Sequence, residues 1–114
     1  MSKTIGIDLG TSNSVISILV DKGTPPKVLQ NRENDELTPS VVSSRKGELL
    51  VGRNAVNYLG QKPKDTIFSI KRLMGRGFSQ KEVKKTMELV KYNIVKPSNG
   101  TEDSVAVIMD GKEY

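Results

Sequence analysis

Asp8 closes a short β-rich run that starts at Thr4, and Gly10, Thr11, Ser12 and Asn13 follow almost at once. Gly10 lets the backbone turn tightly and brings main-chain amides close to a ligand. Successive N–H groups in such a turn form a concavity for an anion. Thr11 and Ser12 add hydroxyl donors beside those amides. A carboxylate at a strand end suits hydrated Mg²⁺, which takes only one or two protein carboxylates and keeps several of its waters. Phosphate oxygens and Mg²⁺ travel as one ligand, so the two features belong together. The stretch is not a P-loop, because no Gly-Lys-Ser/Thr follows at the required spacing. An ordinary polar hairpin turn uses the same residue types, and these residues alone leave both readings open.

Composition narrows the chemistry further. The chain has no cysteine and no histidine. Disulfides, thiolate metal sites, a Ser-His-Asp triad and a histidine base are therefore excluded within it. Any catalysis must use carboxylates, lysines, hydroxyls or backbone amides. The net charge of +5 is uneven: residues 61–96 carry ten basic and three acidic side chains, while residues 97–114 carry one and four. Such a segment suits a polyanion or is simply a solvated helix face. Two Phe and three Tyr give little for stacking bases, which argues against nucleic acid. No apolar run is long enough for a signal-peptide core or a membrane span, so no membrane partner is expected and the default location is cytoplasmic.

The elements that must position these residues can be read from periodicity. Two β-rich runs flank the Gly-containing turn and predict a hairpin over 4–20. Val28-Leu29-Gln30 predicts a third strand. Ser40–Ser43 and Glu48–Val51 predict a second hairpin around Arg45-Lys46-Gly47. Apolar spacing then becomes helical and predicts helices near 53–59, 66–74 and 80–89, the last opened by a capping box, Ser79-x-x-Glu82. Tyr92–Val95 and Val105–Met109 return to strand. Asp110-Gly111 predicts a final turn whose return strand stops at Tyr114 and is left unpaired. The order of strands, helices and strands predicts an α+β or mixed α/β fold.

The octet Ile7-Asp8-Leu9-Gly10-Thr11-Ser12-Asn13-Ser14 resembles the N-terminal signature of the seventy-kilodalton heat-shock chaperones, the DnaK family. Three further blocks stand in register with that resemblance: Thr38-Pro39-Ser40, Leu50-Val51-Gly52 followed by Ala55, and Ile70-Lys71-Arg72-Leu73-Met74-Gly75. The resemblance implies an actin/hexokinase/ribonuclease H-like ATPase fold, with residues 1–114 forming its first lobe only. It implies ATP or ADP with Mg²⁺ as cofactors and ATP hydrolysis in a protein-folding cycle. Unfolded polypeptides and co-chaperones are the implied partners. Asp8 matches the family's carboxylate that holds Mg²⁺ through water. Gly10, Thr11, Ser12 and the Asn13 amide match its phosphate cradle. Lys71 matches the lysine that positions the attacking water and the γ-phosphate. All these groups are then expected on one surface.

Some positions depart from the family pattern. Ser12 replaces a common Thr but keeps the hydroxyl. Glu36-Leu37 stands where Arg-Thr is usual, and Lys62 replaces a typical Asn. The expectation is a fragment that supplies one wall of an ATP site and is inactive alone, with self-association through exposed strand edges. A non-catalytic actin-like filament or interaction protein is the competing reading.

Overall fold

Alternating side chains over the first part of the chain fold into the expected hairpin. In the computed structural model, which describes residues 3–114, β1 (Thr4–Leu9) and β2 (Asn13–Leu19) pair antiparallel, with Ile7 opposite Ile16 and Asp8 opposite Val15. β3 (Lys27–Val28) and β4 (Thr38–Pro39) both pair with β2. The third strand thus begins one residue before the sequence expectation, although the Leu29 amide still donates to Ile16 O at 2.9 Å.

Two further antiparallel sheets follow. β5 (Val41–Arg45) lies between β6 (Glu48–Val51) and β7 (Thr66–Phe68). β9 (Ala106–Met109) lies between β8 (Asn93–Val95) and β10 (Lys112–Glu113). The turns Lys46-Gly47 and Asp110-Gly111 both have positive φ at their two central residues. That conformation matches the twist of tight hairpins and explains the glycines. Tyr114 exchanges both main-chain hydrogen bonds with Val107, at 2.9 and 3.0 Å. The expectation that the last strand is unpaired is therefore corrected. With its helices, the chain has the α+β architecture expected.

The helical expectations needed more revision. The first helix spans only Arg53–Val56 (α1) and continues as turns. The helix expected over 66–74 is absent. Thr66, Ile67 and Phe68 instead form β7, because β-branched and aromatic residues fit the edge of β5. Ser69 then takes a left-handed conformation, φ 55°, and Ile70–Arg72 make one 3₁₀ turn. The apolar spacing at 67, 70, 73 and 74 imitates a helix face, yet Met74 is exposed while Leu73 is buried. The last helix, Lys81–Leu89 (α2), forms as expected. Its capping box does not: Gln80 is the N-cap without a side-chain cap bond, and Glu82 turns to Arg76 at 3.6 Å.

The core gathers Ile67, Leu73, Val83, Tyr92, Ile94, Val107 and Met109 from β7, the 3₁₀ segment, α2 and the third sheet. A hydroxyl and carboxylate network joins the second and third sheets. Ser44 Oγ donates to Asp110 Oδ2 at 3.0 Å, and the Asp110 amide donates to Asp65 Oδ1 at 2.8 Å. Lys62, one of the departures noted above, donates to Ser44 O at 2.6 Å. The residues of this cluster lie between positions 67 and 109, and Val41 and Ala55 are buried as well. The β1–β2 hairpin is outside that core, and Ile5 and Ile7 are 58% and 72% exposed. The molecule is long, 47 × 31 × 23 Å with a radius of gyration of 16.5 Å. A chain of this length packed evenly would have a radius near about 13 Å.

Candidate phosphate-binding site

The turn from β1 into β2 is closed by its own backbone. The Gly10 amide donates to Asn13 O at 2.9 Å. A Cβ on residue 10 would lie 2.3 Å from that oxygen, closer than any real contact, so this turn needs glycine. Ser40, just after β4, then ties the turn down. Its amide donates to Ser12 O and its hydroxyl to Gly10 O, both at 2.9 Å, and the hydroxyls of Ser40 and Ser14 lie 2.9 Å apart.

These bonds orient the loop. All described peptides are trans, and in a trans peptide the carbonyl and the next amide point in opposite directions. Gly10 O and Ser12 O both face Ser40. The Thr11 and Asn13 amides therefore point away from it, and no carbonyl lone pair of those two peptides is presented beside them. Among the described residues, the Thr11 amide donates to no protein acceptor. The Ser12 and Asn13 side chains are exposed and Thr11 is half-buried. A main-chain donor without a protein partner, with hydroxyls alongside, fits phosphate oxygens. Asp8 is exposed at the end of β1, and a single carboxylate there fits a Mg²⁺ that keeps most of its waters.

Lys71 occupies the middle of the 3₁₀ turn that follows β7. It is exposed and takes part in none of the three ion pairs among the described residues. Its neighbour Ile70 lines a cavity of about 390 Å³ together with Leu9, Ser14 and Ser40. Lys71 itself and Asp8, Gly10, Thr11, Ser12 and Asn13 are not among the residues that line this cavity. The end of β7 is fixed by Tyr92, whose hydroxyl donates to Phe68 O at 2.5 Å. The Tyr92 and Phe68 rings also meet edge-on, 5.7 Å between centroids.

Residues 4–114 match the Hsp70 protein family. The chain belongs to the Hsp70 family. It is 46% identical over 101 residues to the chaperone protein DnaK of Buchnera aphidicola subsp. Schizaphis graminum. That match covers 88% of this chain and 16% of the relative. With the family comes the actin-like ATPase fold of its nucleotide-binding domain, as the sequence blocks implied. The competing reading of a filament or interaction protein is not favoured. Among the described residues, no helix of this Hsp70 chain is long and apolar enough to cross a membrane.

Ser40 and Tyr92 were not singled out by their own chemistry in the sequence. Ser40 had a signal, since it ends the Thr38-Pro39-Ser40 block. Tyr92 had none beyond its place at the start of a strand. The basic segment divides as a solvated surface would. Lys81, Lys84 and Lys85 on α2 are exposed, with Lys84 resting 3.7 Å over the Phe78 ring.

Proposed function

We propose that this chain forms the phosphate-binding wall, and the first lobe, of the ATP-hydrolysing domain of a DnaK-like chaperone. The observation that carries the reading is the Ser40-tied turn, which leaves the Thr11 amide without a protein acceptor and turns the Thr11 and Asn13 amides away from Ser40. In this reading those amides and the Thr11 and Ser12 hydroxyls hold the phosphates of ATP or ADP. Asp8 anchors hydrated Mg²⁺, which neutralises phosphate charge when bound. Lys71 places a cation at the γ-phosphate and orients the attacking water. Phosphoryl transfer depends mainly on such positioning and charge stabilisation. The parent protein would work in the cytoplasm on unfolded polypeptides, with co-chaperones.

The chain alone should bind nucleotide poorly. A nucleotide is held by a concave pocket that buries most of its surface, and an open phosphate site is weakened by solvent screening. Calorimetry with Mg·ATP should therefore show weak or no binding, and phosphate release should be absent. Residues 4–114 placed in the corresponding segment of the Buchnera DnaK should restore ATP turnover. Lys71→Ala in that chimera should lower kcat by roughly 10²-fold or more. An unchanged kcat would remove Lys71 from the mechanism. Micromolar binding and turnover by the chain alone would show that it is a complete site.

A further inference from the structure

The loop between β3 and β4 is organised by one residue, and every polar atom of Asn31 is engaged in it. Its amide donates to Asp35 O at 2.8 Å, and its carbonyl accepts from the Asn34 amide at 3.0 Å. Asn31 Oδ1 accepts from the Glu33 and Asp35 amides at 2.9 and 3.0 Å, and Asn31 Nδ2 donates to Thr38 Oγ1 at 3.0 Å. Asparagine suits this place because its short side-chain amide both accepts and donates, and such bonds stand in for a backbone turn. The Arg53–Asp35 ion pair also touches the loop, at 3.2 Å, but both side chains are exposed, and such pairs contribute little.

The bond to Thr38 connects this loop to the Gly10–Asn13 turn. Thr38 and Pro39 lie opposite Ser14 and Asn13 in the β2 ladder. On another side Thr38 is closely packed, since a Cβ on Gly52 would meet Thr38 Cγ2 at 3.0 Å. The Pro39 ring locks its φ at about −65°, so the chain from Thr38 to Ser40 is stiff. Ser40 then makes its two 2.9 Å bonds to Gly10 O and Ser12 O. Without its partner in Asn31, Thr38 is free to shift, and Ser40 shifts with it.

We propose that Asn31 is a positioning residue for the Gly10–Asn13 turn, acting through Thr38 and Ser40. Its side chain fixes the loop, the loop fixes Thr38, and Pro39 carries that position to the hydroxyl that ties the turn. The consequence for nucleotide rests on the phosphate reading proposed above; the linkage itself does not.

Amide hydrogen exchange by NMR on the intact chain tests the linkage without a ligand, at the Gly10 amide bound to Asn13 O. Asn31→Ala removes the three side-chain bonds and should speed Gly10 exchange about tenfold. Thr38→Val keeps the loop's own bonds and removes only the link, so about fivefold is expected. Asn31→Asp keeps the acceptors, and the Thr38 hydroxyl can donate to its carboxylate, so it should retain most of the protection. The Val107 amide in the third sheet should keep its rate in all three. In a Ser40→Ala background, Asn31→Ala should add less than about twofold, because both changes act on one route. Glu33 and Asp35 amides deprotected by Asn31→Ala, with Gly10 within about twofold of wild type, would overturn the proposal. So would an undiminished effect of Asn31→Ala in the absence of the Ser40 hydroxyl. In the Buchnera DnaK chimera, Asn31→Ala should raise the KM for ATP several-fold and leave kcat unchanged. Faster Gly10 exchange with an unchanged KM would uphold the linkage and remove the turn from phosphate binding.

Discussion

Ser40→Ala removes the hydroxyl that holds the Gly10–Asn13 turn and leaves the main-chain bond from Ser40 to Ser12 intact. Two part-buried contacts disappear, to Gly10 O and to Ser14 Oγ, each at 2.9 Å. A typical hydrogen bond contributes about 0.5–1.5 kcal/mol net, so the turn should lose about 2 kcal/mol of local stability. That corresponds to a factor of about 30 in its opening equilibrium. Amide hydrogen exchange measured by NMR reads this directly at Gly10, whose amide is bound to Asn13 O. Gly10 should exchange about 30-fold faster in the variant. The Val107 amide, bound to Tyr114 O in another sheet, should keep its rate. Ser40→Thr retains the hydroxyl and should recover most of the protection. A Gly10 rate within about threefold of wild type, under about 0.7 kcal/mol, would show that the hairpin holds the turn unaided and that Ser40 is a bystander.

Gly10→Ala should open the same turn by a different route, because its Cβ would sit 2.3 Å from Asn13 O; loss of the Gly10–Asn13 hydrogen bond in NMR would report it. Burial pushes the Tyr92 hydroxyl from 10.0 up to about 12, with Arg72 opposing more weakly. The folded protein therefore holds this proton when the unfolded chain releases it. The associated stability is full below pH 10 and is lost as pH rises towards 12. Tyr92→Phe should flatten that alkaline fall in melting temperature and cost about 1 kcal/mol at neutral pH through the unpaired Phe68 carbonyl. Leu73→Ala, at a side chain only 2% exposed, should cost about 2–5 kcal/mol in denaturant unfolding.

Much of this was legible in the sequence because local chemistry and tertiary structure agreed. The first hairpin, the Asp110-Gly111 turn and α2 each carried a pattern that matched their surroundings. Thr66–Phe68 was misread because the helical spacing of 67, 70, 73 and 74 has two sources, a strand and a 3₁₀ turn joined at Ser69. Only the pairing with β5 tells them apart, and that contact is distant in sequence. The capping box failed for a similar reason, since Arg76 competes for Glu82. At the candidate site, the turn and its glycine were visible as a motif. The role of Ser40 was not, because its bonds to Gly10 and Ser12 span about thirty residues. Lys71 was singled out by its register within a block, and its own chemistry does not separate it from neighbouring lysines.

The placement of the hairpin outside the core gives the Gly10–Asn13 turn a thermodynamics of its own. β1 and β2 are supported mainly by each other, and elements with few buried apolar contacts unfold separately, at lower free energy than the core. Heating should then produce two transitions, with the hairpin melting first. Only the formed hairpin presents the turn, so apparent affinity for an anion falls in proportion to the fraction formed. Conversely, a ligand at a hundred times its Kd would stabilise the formed hairpin by about 2.7 kcal/mol and raise the lower transition while leaving the upper one in place. In the proposed reading, capturing phosphate and completing the fold of this segment would be one coupled equilibrium.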